Sequence, residues 1–456
     1  MKNAKETHMT EGNILKHILI FSLPLFIGNV VQQLYNMVDT VVVGRFVSED
    51  ALAATGTCSS VNFLFFSLTS GLAIGIGIIA SHDFGSNDTK QLRRTIVNSA
   101  YVLGFAAVVV TVAGVLLARP ILTMMQVKET IIDDAVTYLT VTCLGTVFIV
   151  IYNGVSAILR AIGNSKMPLI FLIISSFLNI VLDLLFVLVF GLGVLGVAIA
   201  TVIAQAISAA ISLIYAFRNI PYFRISREEL KPMTNIIFKC FGRGVPVAIQ
   251  SSMIAISLII LQRVVNSYDD IAIMGAFTIS GKVDIIESIV FNTLGAAFTT
   301  FAGQNLGAGR LDRVKQGYRI GVRIIMGYSL VSIPLIFLLS EQISGLFVNS
   351  EDVIAISKTA VRIACCFYFA LGMIYIPRGI LNGVGDARFA LLNGITELLC
   401  RIVFANILVS IPAVGIWGIW WAVALTWTVT SIVCNIRYFV KVGRGSGTIA
   451  PSSESL

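Results

Sequence analysis

Twelve apolar segments, most of them helix-length, take up so much of this sequence that little remains to build a different kind of protein. They run near 15–43, 51–80, 92–118, 134–160, 167–190, 193–217, 236–264, 271–303, 316–340, 356–382, 387–411 and 415–440. A bilayer-crossing helix needs about 20 apolar residues, whereas barrel strands would be about 10 residues of alternating pattern. Backbone in lipid must satisfy its own hydrogen bonds, so the segments are read as helices. The expected fold is an all-α integral membrane protein with twelve transmembrane helices. Only 12% of the residues are charged, against about a quarter in soluble proteins. A soluble enzyme, a nucleic-acid-binding module and a disordered chain are thereby excluded. The first apolar run contains Pro24 and continues past Val43, which reads as a first span rather than a removed leader.

The net charge of +8 reports topology. The N-terminus, the even-numbered loops and the C-terminus hold 24 of the 32 Lys and Arg residues; the opposite side holds six, and Lys282 and Arg401 lie within spans. By the positive-inside rule both termini are expected in the cytoplasm, in a multi-pass protein of the plasma or inner membrane. The seven cysteines show no CxxC spacing and read as small buried hydrophobes.

The longest polar stretch, residues 218–243, splits the spans six and six. A shift of 222 residues lays Pro24 on Pro246, Gly85 on Gly307, Gly163 on Gly385, Gly193 on Gly415 and Gly196 on Gly418. Four of fifteen glycines coincide, where chance gives about one, and all four sit at predicted membrane turns. An even number of spans per repeat gives both halves the same orientation, so two six-helix bundles in a parallel pseudo-two-fold repeat are expected. The domain reading is an N-lobe at 1–217, a cytoplasmic linker at 218–235, a C-lobe at 236–440 and a cytoplasmic tail at 441–456.

Several motifs carry no chemistry. GLGVLG at 191–196 spells a dinucleotide fingerprint but sits in a short turn between spans, without a βαβ context. GAFTISGKV at 275–283 has one residue too many for a phosphate loop and Val where Ser or Thr is needed. No ATP site is visible, so transport would be driven by an ion gradient or the substrate's own. His8, His17 and His82 are too dispersed for a metal site. Asp133–Asp134 and Asp269–Asp270 read as solvated pairs at the outer face.

Ionisable groups inside a bilayer are costly and usually face the protein interior or a water-filled cavity. Asp39 in span 1 lies six residues before Arg45, Asp183 in span 5 lies eight before Gly191, and Thr201 in span 6 lies eight after Gly193. At 1.5 Å per residue these are depths of roughly 9, 12 and 12 Å. Asn29, Gln32, Gln33, Tyr35, Asn36 and Asp39 fall within roughly 160° of span 1. Ser175, Asn179 and Asp183 recur every four residues. Two carboxylates with amide and hydroxyl neighbours could exchange protons. The same oxygens could hold Na⁺, or the set could merely lock helix packing. The C-lobe differs: at the 222 shift Asp39 falls on Leu261, Asp183 on Ala405 and Asn179 on Arg401. Its own buried charges are Lys282, Asp284, Glu287, Glu397 and Arg401, with Glu397–Arg401 read as an internal ion pair.

These residues also carry a family likeness. SLPLFIGNVVQQLYNMVDTVVVGR (22–45), ILRAIGNSKMPL (158–169), NIVLDLLFV (179–187) and FAGQNLGAGR (301–310) resemble the multidrug and toxic compound extrusion (MATE) transporters over nearly the whole chain. The resemblance implies two six-helix bundles around a V-shaped cavity, exporting cationic drugs or metabolites in exchange for H⁺ or Na⁺. The pattern is similar to the DinF-like branch, whose N-lobe cation site corresponds here to Asp39, Asn179, Asp183 and Thr201, where a coupling Na⁺ would bind. The NorM-like C-lobe carboxylates fall on Ile254 and Leu371, which leaves that site without its ligands. Bending at the span-1 proline, proposed for the family, makes Pro24 a hinge candidate.

The expectation is a cation-coupled antiporter that exports small amphipathic cations, not an enzyme. Gln33, Tyr35, Asn36, Lys282, Asp284 and Glu287 are substrate-cavity candidates. No cofactor, ATP or nucleic acid is expected. The partners are small organic cations and the lipid bilayer, and the protein is read as a monomer. The alternative is a flippase for lipid-linked oligosaccharide or another polar lipid. That rival would need several cations for a pyrophosphate, where only Lys282 and Arg401 are available. A passive channel would need a ring of charges repeated across the halves, and an intramembrane enzyme a convergent catalytic set.

Overall fold

The computed structural model describes residues 6–443, and every regular element among them is helical. The first half consists of α1 (Ile14–Phe46), α2 (Glu49–Gly85), α3 (Thr89–Met124), α4 (Glu129–Leu144), α5 (Thr146–Ala161), α6 (Lys166–Leu184) and α7 (Gly193–Asn219). The second consists of α8 (Thr234–Asn266), α9 (Ile271–Gly307), α10 (Leu311–Gly345), α11 (Glu351–Cys365), α12 (Tyr368–Gly383), α13 (Ala387–Ser410) and α14 (Gly418–Tyr438). Ten spans are single apolar helices. The expected spans 4 and 10 are instead bent pairs, α4–α5 at 44° and α11–α12 at 45°, so twelve spans use fourteen helices. The expected tail lies outside the described residues from 444 on.

Local chemistry sets the helix starts. Ser48 accepts from the Ala51 N–H (3.0 Å), Asp88 from Gln91 (2.9 Å) and Asp270 from Ala272 (2.7 Å), each satisfying a first-turn donor that the helix leaves unpaired. Asp270 is therefore a helix cap rather than a free solvated carboxylate. Asp133 is likewise more than solvated, because it pairs with Arg119 across exposed ends of α3 and α4. Five cysteines are buried as expected, but Cys366 is exposed and Cys400 is half-buried.

The 222-residue repeat has a backbone cause. Gly163 and Gly385 have φ of +84° and +78°, and Gly193 and Gly415 have +54° and +53°, left-handed values that side chains disfavour. At Gly163 a Cβ would also stand 2.2 Å from the Thr7 carbonyl oxygen. Helix lengths follow the repeat: α1 and α8 have 33 residues each, and α2 and α9 have 37.

Two compact units result. Unit 1 takes residues up to Met9 and Ile20–Ala248; unit 2 takes Thr10–Leu19 and the residues from Ile249 on. In unit 1 the N-terminal segment is held by a Thr7 N–H bond to the Ile162 carbonyl (3.1 Å) and by His8 stacked on Phe84 at 4.4 Å. In unit 2, Arg310 donates to the Thr10 carbonyl (2.6 Å), and Arg313 to those of Glu11 and Gly12 (3.2 Å each). The N-terminal part of α8 packs on α2 through small residues. A Cβ on Gly71 would meet Ala248 backbone at 2.5 Å, and one on Gly75 would meet Gly244 at 2.4 Å.

The loop before α8 holds a buried carboxylate, Glu229. It accepts from the Ser226 N–H (2.8 Å) and lies 4.0 Å from Arg93. The backbone bond, with Arg93 and Arg94 adding to it, holds its pKa below the ordinary carboxylate value, although burial opposes this. A depressed folded-state pKa gives stability that is present above the unfolded value, about 4.3, and is lost as pH falls through the folded one. Glu229→Gln is expected to flatten the acid side of a Tm-against-pH curve below about pH 5. An unchanged acid slope would count against it.

Candidate ion-coupling site

α6 presents one polar stripe, and the structure shows where each member goes. The Ser175 hydroxyl donates to the Ala204 carbonyl on α7 (3.1 Å). The Asn179 amide nitrogen donates to Asp183 Oδ2 (2.7 Å) while its oxygen accepts from the Thr201 N–H (3.2 Å). Asn179 is 2% exposed and Asp183 0%. The four-residue spacing aligns these groups on one helix face, and α7 supplies Thr201 opposite them.

α1 closes the site with Asp39 and Tyr35. The Asp39 and Asp183 carboxyl groups lie within hydrogen-bonding reach of one another. The Tyr35 hydroxyl hydrogen bonds with the Thr201 side chain. Tyr138 of α4 lies within electrostatic reach of Asp39, Tyr35 and Asp183. Asp39 Oδ1 and Asp183 Oδ1 are both buried and without a hydrogen-bond partner. Two facing carboxyl groups can share one proton, which forms a hydrogen bond between them.

Asp183 also sits two residues before a π-helical turn, Leu185–Val189. Such turns are rare and recur at functional sites. The repeat-related stretch of unit 2, 407–411, is regular α-helix up to Ser410, where α13 ends. In unit 2, Leu261 and Ala405, which occupy the positions of Asp39 and Asp183, are 1% and 0% exposed. The asymmetry read from the sequence is thus built into the helices.

All four sequence-predicted ion-site residues come together, and Tyr35 joins them. Gln33 and Asn36 are exposed on α1 and bond to each other (3.4 Å). Lys282 is exposed on α9. Pro24 lies inside α1, four residues after the point where that helix passes from unit 2 to unit 1. Sequence reasoning missed Tyr138. The expected span starts near 134, only four residues before it, whereas α4 starts at Glu129, nine residues before it and roughly 13 Å away along the helix.

The MatE family model matches this chain twice, at residues 24–185 and 246–407. The chain belongs to the MatE family. The two matches are offset by 222 residues at both ends, the shift that superposes the prolines and turn glycines. Among relatives, "Probable multidrug resistance protein YpnP" of Bacillus subtilis (strain 168) is 29% identical over 84% of this chain and 85% of its own length. Multidrug export protein MepA of Staphylococcus saprophyticus is 20% identical over 96% and 97%. A MOP superfamily transporter from Pyrococcus furiosus shares the fold, with a TM-score of 0.90 at 23% identity over 97% of this chain and 99% of that one. As a MatE protein this chain is a multi-span membrane transporter rather than an enzyme. Transporters of this family use ion coupling and need no cofactor.

Proposed function

We propose that this MatE protein is a secondary antiporter that exports small amphipathic organic cations in exchange for H⁺ or Na⁺, with both termini in the cytoplasm. The carrying observation is the facing pair of half-buried Asp39 and buried Asp183, each with one buried, unpartnered oxygen. The mutual approach of the two carboxyls favours H⁺ as the coupling ion, since a proton lets them stay in contact. Proton binding would drive transport if the two orientations of the transporter hold that proton with different affinity. Gln33 and Asn36, exposed near Asp39 on α1, are the proposed first contacts for substrate. The names of two relatives, a probable multidrug resistance protein and a multidrug export protein, support drug export. The polar-lipid reading is weakened because Arg401, one of the two cations the sequence offered for a pyrophosphate, is occupied by Glu397 and Ser257.

The test is transport by purified protein in liposomes, using a panel of cationic dyes under an imposed ΔpH or ΔpNa. One pH unit supplies about 1.4 kcal/mol per proton, enough for about tenfold dye accumulation in one-for-one exchange. Accumulation under ΔpH is expected. Accumulation driven by ΔpNa alone at fixed pH would reassign the coupling ion, and none under either gradient would overturn the antiport.

A further inference from the structure

A second pair of carboxyls, half-buried Asp284 and buried Glu287, lies wholly inside unit 2. Asp284 and Glu287 stand three residues apart on α9, a spacing that places them on one helix face. Asp284 Oδ1 accepts from the Tyr368 hydroxyl of α12 (2.9 Å), and Glu287 Oε1 accepts from the Tyr328 hydroxyl of α10 (3.1 Å). Glu287 is 3% exposed, and its Oε2 is buried with no hydrogen-bond partner. Phe291, one turn further along, packs edge-on against Tyr328 (5.6 Å between ring centroids) and closes the site with an aromatic wall.

The charges around these two groups do not balance. From α13, Arg401 comes within electrostatic reach of Asp284, but it already pairs with Glu397 at 3.9 Å and donates to Ser257. Arg378 of α12 stacks on the Tyr375 ring at 4.2 Å. Cys365 of α11 is a further titratable neighbour of Asp284. Lys282 is exposed and points away, about 200° round the helix from Asp284. Glu397 already matches the guanidinium of Arg401, so with both ionised Asp284 and Glu287 would set two further negative charges in largely apolar surroundings, and the nearest other guanidinium, Arg378, is engaged on the Tyr375 ring. Isolated buried charges of that kind are neutralised rather than tolerated. Tyrosine hydroxyls can donate a hydrogen bond but cannot cancel a charge.

We propose that unit 2 carries its own proton-binding site, formed by Asp284 and Glu287, with Tyr368 and Tyr328 as hydrogen-bond donors to their carbonyl oxygens. Protonation of Glu287 at Oε2 turns an unpartnered anionic oxygen into a neutral hydroxyl. Both residues were expected on the substrate path; their inward pairing with tyrosines favours the proton instead. This goes beyond the antiport mechanism and does not depend on it, because Asp39 and Asp183 take no part.

The experiment is infrared difference spectroscopy of the purified full-length protein between acid and alkaline buffer, following the carboxylic-acid C=O stretch. The background is the Asp39→Asn/Asp183→Asn double variant, so that the unit 1 pair is silent and failure of the transport mechanism cannot be confused with failure here. Protonated-carboxyl bands are expected to persist at neutral pH, one lost with Glu287→Gln and another with Asp284→Asn. Should either variant fail to fold, Tyr328→Phe and Tyr368→Phe serve instead, each shifting its partner's band to higher frequency. Absence of any such band in the background, or bands that none of the four substitutions alters, would overturn the proposal.

Discussion

Asp183→Asn is expected to reduce ΔpH-driven dye efflux to the level of protein-free liposomes, while the protein stays folded and monodisperse. Asparagine preserves the shape and can still accept from the Asn179 amide, so the α6–α7 contact through Thr201 survives. What it removes is the proton that the proposed coupling places between the two carboxyls. Once Asp183 is neutral, Asp39 no longer faces a like charge and no longer has a partner whose ionisation state it senses. Asp39→Asn is expected to give the same loss, and the double variant no further one, because residues that act as a unit are non-additive. Ser175→Ala is the control on the same stripe: its hydroxyl serves the Ala204 carbonyl, so it should keep most of the efflux. Undiminished efflux in either aspartate variant would remove the pair from the coupling mechanism. Equal losses in all three would mean that the stripe merely holds helices together.

The same stripe shows how much of the site was legible in the sequence. A membrane makes depth readable, because each residue adds a fixed rise and the helix ends are marked by charge and glycine. Asp39, Asp183 and Thr201 could therefore be grouped by counting, and the four-residue spacing added Asn179. Counting fails where a helix is not regular. The breaks at Gly145 and at Cys366–Phe367 turn two expected spans into bent pairs, and no proline or charge marks either point. The π-turn after Asp183 is equally silent, since Leu185–Val189 reads as ordinary apolar helix. Tertiary partners were the other gap. Glu287 looked like a cavity group because a carboxylate in a span must go somewhere, and only the packed helices show Tyr328 reaching it. The repeat was the strongest signal, since left-handed turns at Gly163 and Gly385 restrict which residues can stand there.

A packing motif that sequence reasoning did not read also bears on folding. Residues 71–75 read GLAIG and 244–248 read GVPVA, each with small residues four apart. In membranes such spacing lets two helices approach backbone to backbone, where dispersion replaces the missing hydrophobic drive. Here α2 meets the N-terminal part of α8 in that way, and a Cβ at Gly75 would stand 2.4 Å from the Gly244 nitrogen and 2.5 Å from its Cα. Backbone cannot rotate out of the way as a side-chain tip can. Gly75→Val must therefore part the two helices, and is expected to cost about 3 kcal/mol or more, the upper part of the range for overpacking. That should appear as a lower Tm in detergent and a smaller monodisperse yield. Gly104→Val on α3 meets nothing within 4 Å, and so controls for β-branching in a span. A Gly75→Val protein as stable as Gly104→Val would show that α2 and α8 do not depend on this approach. Stability should return in part if Gly75→Ala replaces the valine, since one methyl demands a smaller separation.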